Sequence, residues 1–336
     1  MAPLQLRNPI SRFAPLSWFC ARCSQPSRLR RNNNQSSPAV TRKLLLVSII
    51  SLLICSQLLG NAPITSGPYA ENRNVTSEHS LGVMKTLVIR ADFPDLAETR
   101  TLTTYQSVMA QVRARYQRDS YNKTDLDVTV TAKCYRLPQT SVYYATLGTG
   151  TQEAGWTAIM YDAQTLAAAD YPVDPNTGGI YERVVLAFPG ISKITGSKMD
   201  GLHGSFGTKW LWMNGAFEVG NVTHELGHTY GSLHGGLWQV TDGNPISANG
   251  KVDEIGDLFD AMGNNGSSDY SDFNPWVKNH FGWITNDQVT TVTQSGIYRV
   301  YRFDHQLATG VLALKVVRNS TQNYWISIRR RVSIIS

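Results

Sequence analysis

Cysteine is scarce in this chain. Of four in 336 residues, Cys20, Cys23 and Cys55 precede residue 61, and only Cys134 falls in the remainder. No disulfide can therefore form within that remainder, and its stability has to come from an apolar core. Cys20 and Cys23 make a C-x-x-C pair with no second pair, which argues against a zinc knuckle. Acidic residues are missing from the first 43 positions, which hold eight Lys or Arg. Once that leader is set aside, the formal charge of +6 vanishes, leaving 23 bases against 25 acids. A nucleic-acid partner is not expected, because the globular part offers no basic surplus to meet phosphates. No internal repeat is visible, so nothing suggests a solenoid.

Residues 1–43 form a basic leader and residues 44–60 an apolar segment, a signal anchor or signal peptide. The sixteen residues 44–59 are broken only by Ser48, Ser51, Ser56 and Gln57. Arg42 and Lys43 flank the run on its N-terminal side, so that end is expected to stay cytoplasmic and the rest to be exported. The small residues after the run, Gly60-Asn61-Ala62, are followed by Pro63, which disfavours cleavage there and favours an anchor. The leader is also Arg- and Ser-rich and free of acid, so an organelle transit peptide stays open. The expected location is a single-pass membrane protein or a secreted one. Export would expose most of the sequons at Asn34, Asn74, Asn122, Asn221, Asn265 and Asn319. Asn221 is expected to be a decoy, since it stands one helical turn before Glu225 and would carry a glycan toward the face described below.

Residues 61–83 read as a polar linker containing Pro and Gly. Beyond it, apolar runs at 86–91, 126–132 and 184–188 alternate with a helical pattern over 104–118, which predicts a twisted sheet with helices packed on it, an α+β fold. Residues 235–265 are rich in Gly, Asn and Asp and read as loop. After Gln288, short β-like runs at 289–292, 298–303, 311–317 and 324–328 are separated by turn residues. The domain expectation is thus 84–287 as one unit and 288–336 as a partial β-rich one. That last segment offers no candidate ligand except His305, so the chemistry is expected to be complete without it.

The most informative stretch runs from His224 to His234, H-E-L-G-H-T-Y-G-S-L-H. On a helix, His224 and His228 stand one turn apart on the same face and can reach one metal ion. Gly231 can adopt the left-handed conformation that ends a helix, letting the chain turn back and bring His234 in as a third ligand. Three neutral nitrogens leave one position open for water, the arrangement of a catalytic zinc site. Glu225, beside the first ligand, can take a proton from that water and pass it to a leaving amine. Val219, Val222, Leu226 and Tyr230 recur at helical spacing and form an apolar back to the same helix. From composition, chance would supply the five specified positions in roughly one chain in 10^5 of this length, so coincidence is set aside.

The motif H-E-x-x-H-x-x-G-x-x-H resembles that of the metzincin zinc peptidases, which also carry a methionine turn beneath the metal. Asp260-Ala261-Met262-Gly263 fits such a turn, with Met262 as an apolar floor rather than a ligand. Within the metzincins, M-K-T-L-V-I-R-A-D-F-P-D from Met84, Y-E-R-V-V-L-A-F-P from Tyr181 and F-N-P-W-V-K-N-H-F-G-W-I from Phe273 are similar to segments of the gametolysin-like family. The resemblance covers roughly residues 84–325. It implies a zinc-dependent endopeptidase, secreted or at the cell surface, whose substrates are proteins or peptides, above all glycoproteins of an extracellular matrix or cell wall. It departs at Asn264, where some metzincins place a tyrosine that assists the oxyanion, so no such role is expected here. A different class of protein with the same pattern would be a catalytically silent cell-surface binding protein that kept the fold. Intact His224, Glu225, His228 and His234 weigh against it.

Overall fold

A computed structural model describes residues 80–147, 153–199, 201–205, 207–244, 247, 249–263, 271–317 and 323–330. The leader, the apolar run 44–59, most of the linker, Cys20, Cys23, Cys55, Asn34, Asn74, Asn264, Asn265 and Asn319 lie outside the described residues. Among the described residues no helix is long and apolar enough to cross a membrane.

The architecture is mixed α/β around a mixed sheet. Strands β1 (Gly82–Asp92), β2 (Thr124–Val130), β4 (Arg183–Phe188) and β6 (Trp210–Asn214) are mutually parallel, in the order β2-β1-β4-β6. The two-residue β5 (His203–Gly204) closes the order as an antiparallel edge on β6, and β3 (Tyr135–Arg136) pairs with the end of β1. All six residues of β4 are buried, as expected of a parallel strand covered on both faces. Successive side chains point to opposite faces. Val184, Leu186 and Phe188 pack with Trp156, Ile159 and Met160 of helix α3 (Glu153–Ala167), which follows the short α2 (Ser141–Thr146). Val185 and Ala187 pack with Tyr105, Met109, Val112 and Tyr116 of α1 (Leu102–Asp119) and with Val222 and Leu226 of α4 (Val219–Thr229). Helix α4 is therefore held against the sheet by its apolar back.

The runs at 86–91, 126–132 and 184–188 and the helix at 104–118 correspond to β1, β2, β4 and α1. Strand β6, helix α3 and the hairpin β7 (Leu237–Val240) to β8 (Gly250–Asp253) were not expected, and the hairpin lies where loop was predicted. Residues 298–303 differ in the other direction. They form no strand, only an isolated bridge between Arg302 and Ile328, because Phe303 turns inward instead.

The C-terminal strands β9 (Val289–Val292), β10 (Ala313–Val317) and β11 (Asn323–Ser327) form a separate three-stranded sheet. The segment is nevertheless seated on the rest of the protein after α5 (Pro275–His280). Ile284, Phe303 and Leu312 form one buried cluster with Tyr121 against it, and the Tyr121 hydroxyl donates to the Phe303 carbonyl at 2.7 Å. Lys278 is fully buried, with Nζ 2.9 Å from Asp272 Oδ2 and 4.6 and 5.2 Å from the ring centroids of Tyr121 and Phe303. Truncating a buried aromatic costs about 3–5 kcal/mol. We expect Phe303→Ala to destabilise the protein by that order in urea unfolding, and a change below about 1 kcal/mol would mean that the segment is only loosely attached.

Candidate metal centre

Helix α4 presents its two histidines because its back is anchored. Val222, Leu226 and Tyr230 are fully buried, and Tyr230 stacks on Tyr116 with ring centroids 5.3 Å apart. The helix ends where expected. Gly231 has φ +95, its N–H donates to the His228 carbonyl at 2.9 Å, and Ser232 N–H donates to the Gly227 carbonyl at 3.1 Å. The reversed chain returns His234 to the two helical imidazoles, and the potential ligand atoms of His224, His228 and His234 all lie within 4.8 Å of one another. Ring centroids are 4.9, 5.3 and 4.8 Å apart for the pairs 224–228, 224–234 and 228–234. Among the described residues this is the one group of three His, Cys, Asp or Glu side chains so placed.

Each imidazole is held through Nδ1. His224 Nδ1 lies 3.1 Å from the Ala261 carbonyl, His228 Nδ1 2.7 Å from the Ser232 carbonyl, and His234 Nδ1 3.1 Å from Glu254 Oε1. A carbonyl oxygen only accepts, so Nδ1 of the two helical histidines carries the hydrogen and Nε2 keeps its lone pair. Burial, then the neighbouring imidazole of His234, pushes His224 down to about 4, and burial drives His228 well below the ordinary histidine value. Both are therefore neutral at neutral pH, the form that binds a metal. Three imidazole nitrogens make a donor set that suits zinc, so the residues present fit the implied ion.

Met262 and its neighbours tie the floor to the ligands. Met262 is fully buried, and a Cβ on Gly227 would lie 2.3 Å from its Sδ, so the thioether sits directly against α4 between the two ligand positions. Besides the Ala261 carbonyl on His224, the Met262 carbonyl accepts from Gly235 N–H at 2.6 Å, next to His234. Asp260, fully buried, accepts from Met262 N–H at 2.9 Å and from the Asn274 side-chain amide, while Asn274 Oδ1 caps α5 by accepting from Val277 N–H at 3.0 Å. These holding contacts escaped sequence reading because most acceptors are backbone carbonyls. The N-P-W start of α5 does carry a capping signal, Asn at the cap with Pro following.

Glu225 is only 6 % exposed. Burial lifts its carboxyl to about 8, partly offset by a hydrogen bond from the Gly204 backbone on β5. A Cβ on Gly204 would stand 2.0 Å from the Glu225 carbonyl oxygen and 2.9 Å from His228 Cβ. The edge strand can lie this close only as glycine, and backbone cannot yield as a side-chain tip can. Gly204→Ala is expected to cost at least the roughly 1–3 kcal/mol typical of overpacking, with a lowered thermal midpoint as the check; an unchanged midpoint would refute the close approach.

None of the other described histidines belongs to that group of three. His203 packs between Trp156 and Trp212 at 4.6 and 4.8 Å, His280 stacks on Trp276 at 5.4 Å, and His305 is exposed and accepts from Leu307 N–H. Asn221 donates to Glu218 Oε2 at 2.8 Å, and its sequon partner Thr223 is fully buried. No family model matches the chain, and no curated protein matches it.

Proposed function

We propose that the protein is a zinc-dependent endopeptidase. The observation that carries this reading is the convergence of His224, His228 and His234, each fixed through Nδ1, beside the buried Glu225. His224, His228 and His234 would hold the ion. Bound there, zinc supplies Lewis acidity that polarises a scissile carbonyl and acidifies water. Glu225 takes a proton from the attacking water and hands it to the leaving amine, and its lifted pKa suits a group that must carry a proton part of the time. Strand β5 ends the sheet among the described residues, directly against α4.

The finer reading places the chain among the metzincins, of the gametolysin-like kind, with Met262 as the floor beneath the ion and with matrix or cell-wall glycoproteins as substrates. In it the catalytic part is exported and is either anchored through residues 44–60 or released. The test joins two measurements on the purified protein, zinc content and cleavage of casein with and without a chelator. Stoichiometric zinc with chelator-sensitive cleavage supports the peptidase, whereas zinc without cleavage supports a silent binding protein.

A further inference from the structure

We infer that Glu254 is a positioning residue for the third ligand, and that the hairpin β7–β8 delivers it; this rests on the metal-site reading above. The two helical histidines have their backbone supplied by α4 and their Nδ1 acceptors supplied by main-chain carbonyls. His234 has neither. It lies beyond Gly231 in chain without regular secondary structure, its side chain is 33 % exposed, and its Nδ1 acceptor is the carboxylate of Glu254 at 3.1 Å. Without an acceptor there, nothing in that contact would fix which nitrogen carries the hydrogen or hold the ring at its present rotation.

The carboxylate is placed by main chain. Leu237 pairs with Asp253 at the end of the hairpin, so Glu254 is the first residue beyond the paired strands, next to the segment that carries His234. The two backbones approach closely, since a Cβ on Gly236 would stand 3.2 and 3.3 Å from the carbonyl oxygens of Asp253 and Glu254. Gly256 N–H donates to the Asp253 carbonyl at 3.2 Å and Asp257 N–H to the Gly235 carbonyl at 2.9 Å, which turns the chain back on itself around Glu254. Its side chain is nevertheless 64 % exposed. A contact so open to water contributes little to folding, as exposed pairs typically do. Its consequence falls on the metal instead.

The test is a zinc titration of the full chain after chelator treatment, against a chromophoric competitor. Glu254→Ala is expected to weaken zinc binding about 10–100-fold, the usual effect of losing the hydrogen-bond partner of a ligand. Glu254→Gln keeps an uncharged acceptor and should fall between wild type and Glu254→Ala, while the thermal midpoint of the metal-free protein stays the same in all three. Wild-type affinity in Glu254→Ala overturns the inference and leaves the metal site standing. Equal losses in Glu254→Ala and Glu254→Gln, accompanied by a lowered midpoint, also overturn it, because the residue would then be acting on the fold. A wild-type chain that takes up no zinc overturns the metal-site reading, and this inference with it.

Discussion

Glu225→Gln is expected to keep the fold and the zinc while lowering kcat by about 10²–10⁴-fold, the usual contribution of a positioned general base. The amide matches the carboxylate in shape and can still accept from the Gly204 backbone, but it cannot take a proton. Because no substrate contact is removed, KM should change little, so that the loss appears equally in kcat and kcat/KM. A second readout is independent of activity. In the metal-free wild type the Glu225 carboxyl is lifted from 4.5 to about 8 by burial. Between those values the folded protein holds a proton that the unfolded chain has released, so this group makes stability fall as pH rises from 4.5 toward 8. Glutamine has no such proton to lose. Metal-free Glu225→Gln should therefore gain stability over wild type as pH rises through that window. Near-normal turnover in zinc-loaded Glu225→Gln protein would remove Glu225 from the mechanism.

His234→Ala is expected to weaken zinc binding by more than 100-fold, beyond the roughly 10–100-fold that follows loss of a ligand's hydrogen-bond partner. Two imidazoles on one helical face remain, too few for a catalytic zinc site of three protein ligands. The same change at His203, His280 or His305 removes no donor. His203 is packed between two tryptophans, and His280 stacks on Trp276 and bonds the Gly231 backbone, so their loss can loosen packing without touching the ion. Zinc titration of the four variants decides the assignment. An equal loss at His280 would mean that the third ligand is misplaced.

Where the chain was legible, local geometry did the work. Two histidines four apart on a helix must share a face, and the glycine after Tyr230 adopts the positive φ that ends the helix there. Strands β1 and β4 were readable as apolar runs bounded by polar residues. Strand β6, W-L-W-M-N, is buried at every position, and a run of five without alternation gives no period to choose strand over helix. The hairpin β7–β8 was masked by the Gly, Asn and Asp around it. Residues 298–303 are rich in the Tyr, Val and Phe that strands favour, yet Phe303 buries itself against Lys278 and Tyr121 rather than in a ladder.

The sequence alone determined the three candidate ligands, the candidate base and the helix that carries most of them, because spacing along a helix converts directly into position in space. What holds those groups was decided only by the tertiary structure. The acceptors for His224 and His228 are the carbonyls of Ala261 and Ser232, and a carbonyl looks the same on every residue. Glu254 and Met262 come from segments 20 or more residues beyond the last helical ligand, brought in by a hairpin and a turn whose pairing no local pattern encodes. The C-terminal segment offers a reader of the sequence no candidate ligand except His305, yet in three dimensions it supplies a ring that covers a fully buried lysine. Ligand spacing is a property of one helix, whereas the contacts that fix each ring depend on which distant backbone arrives beside it.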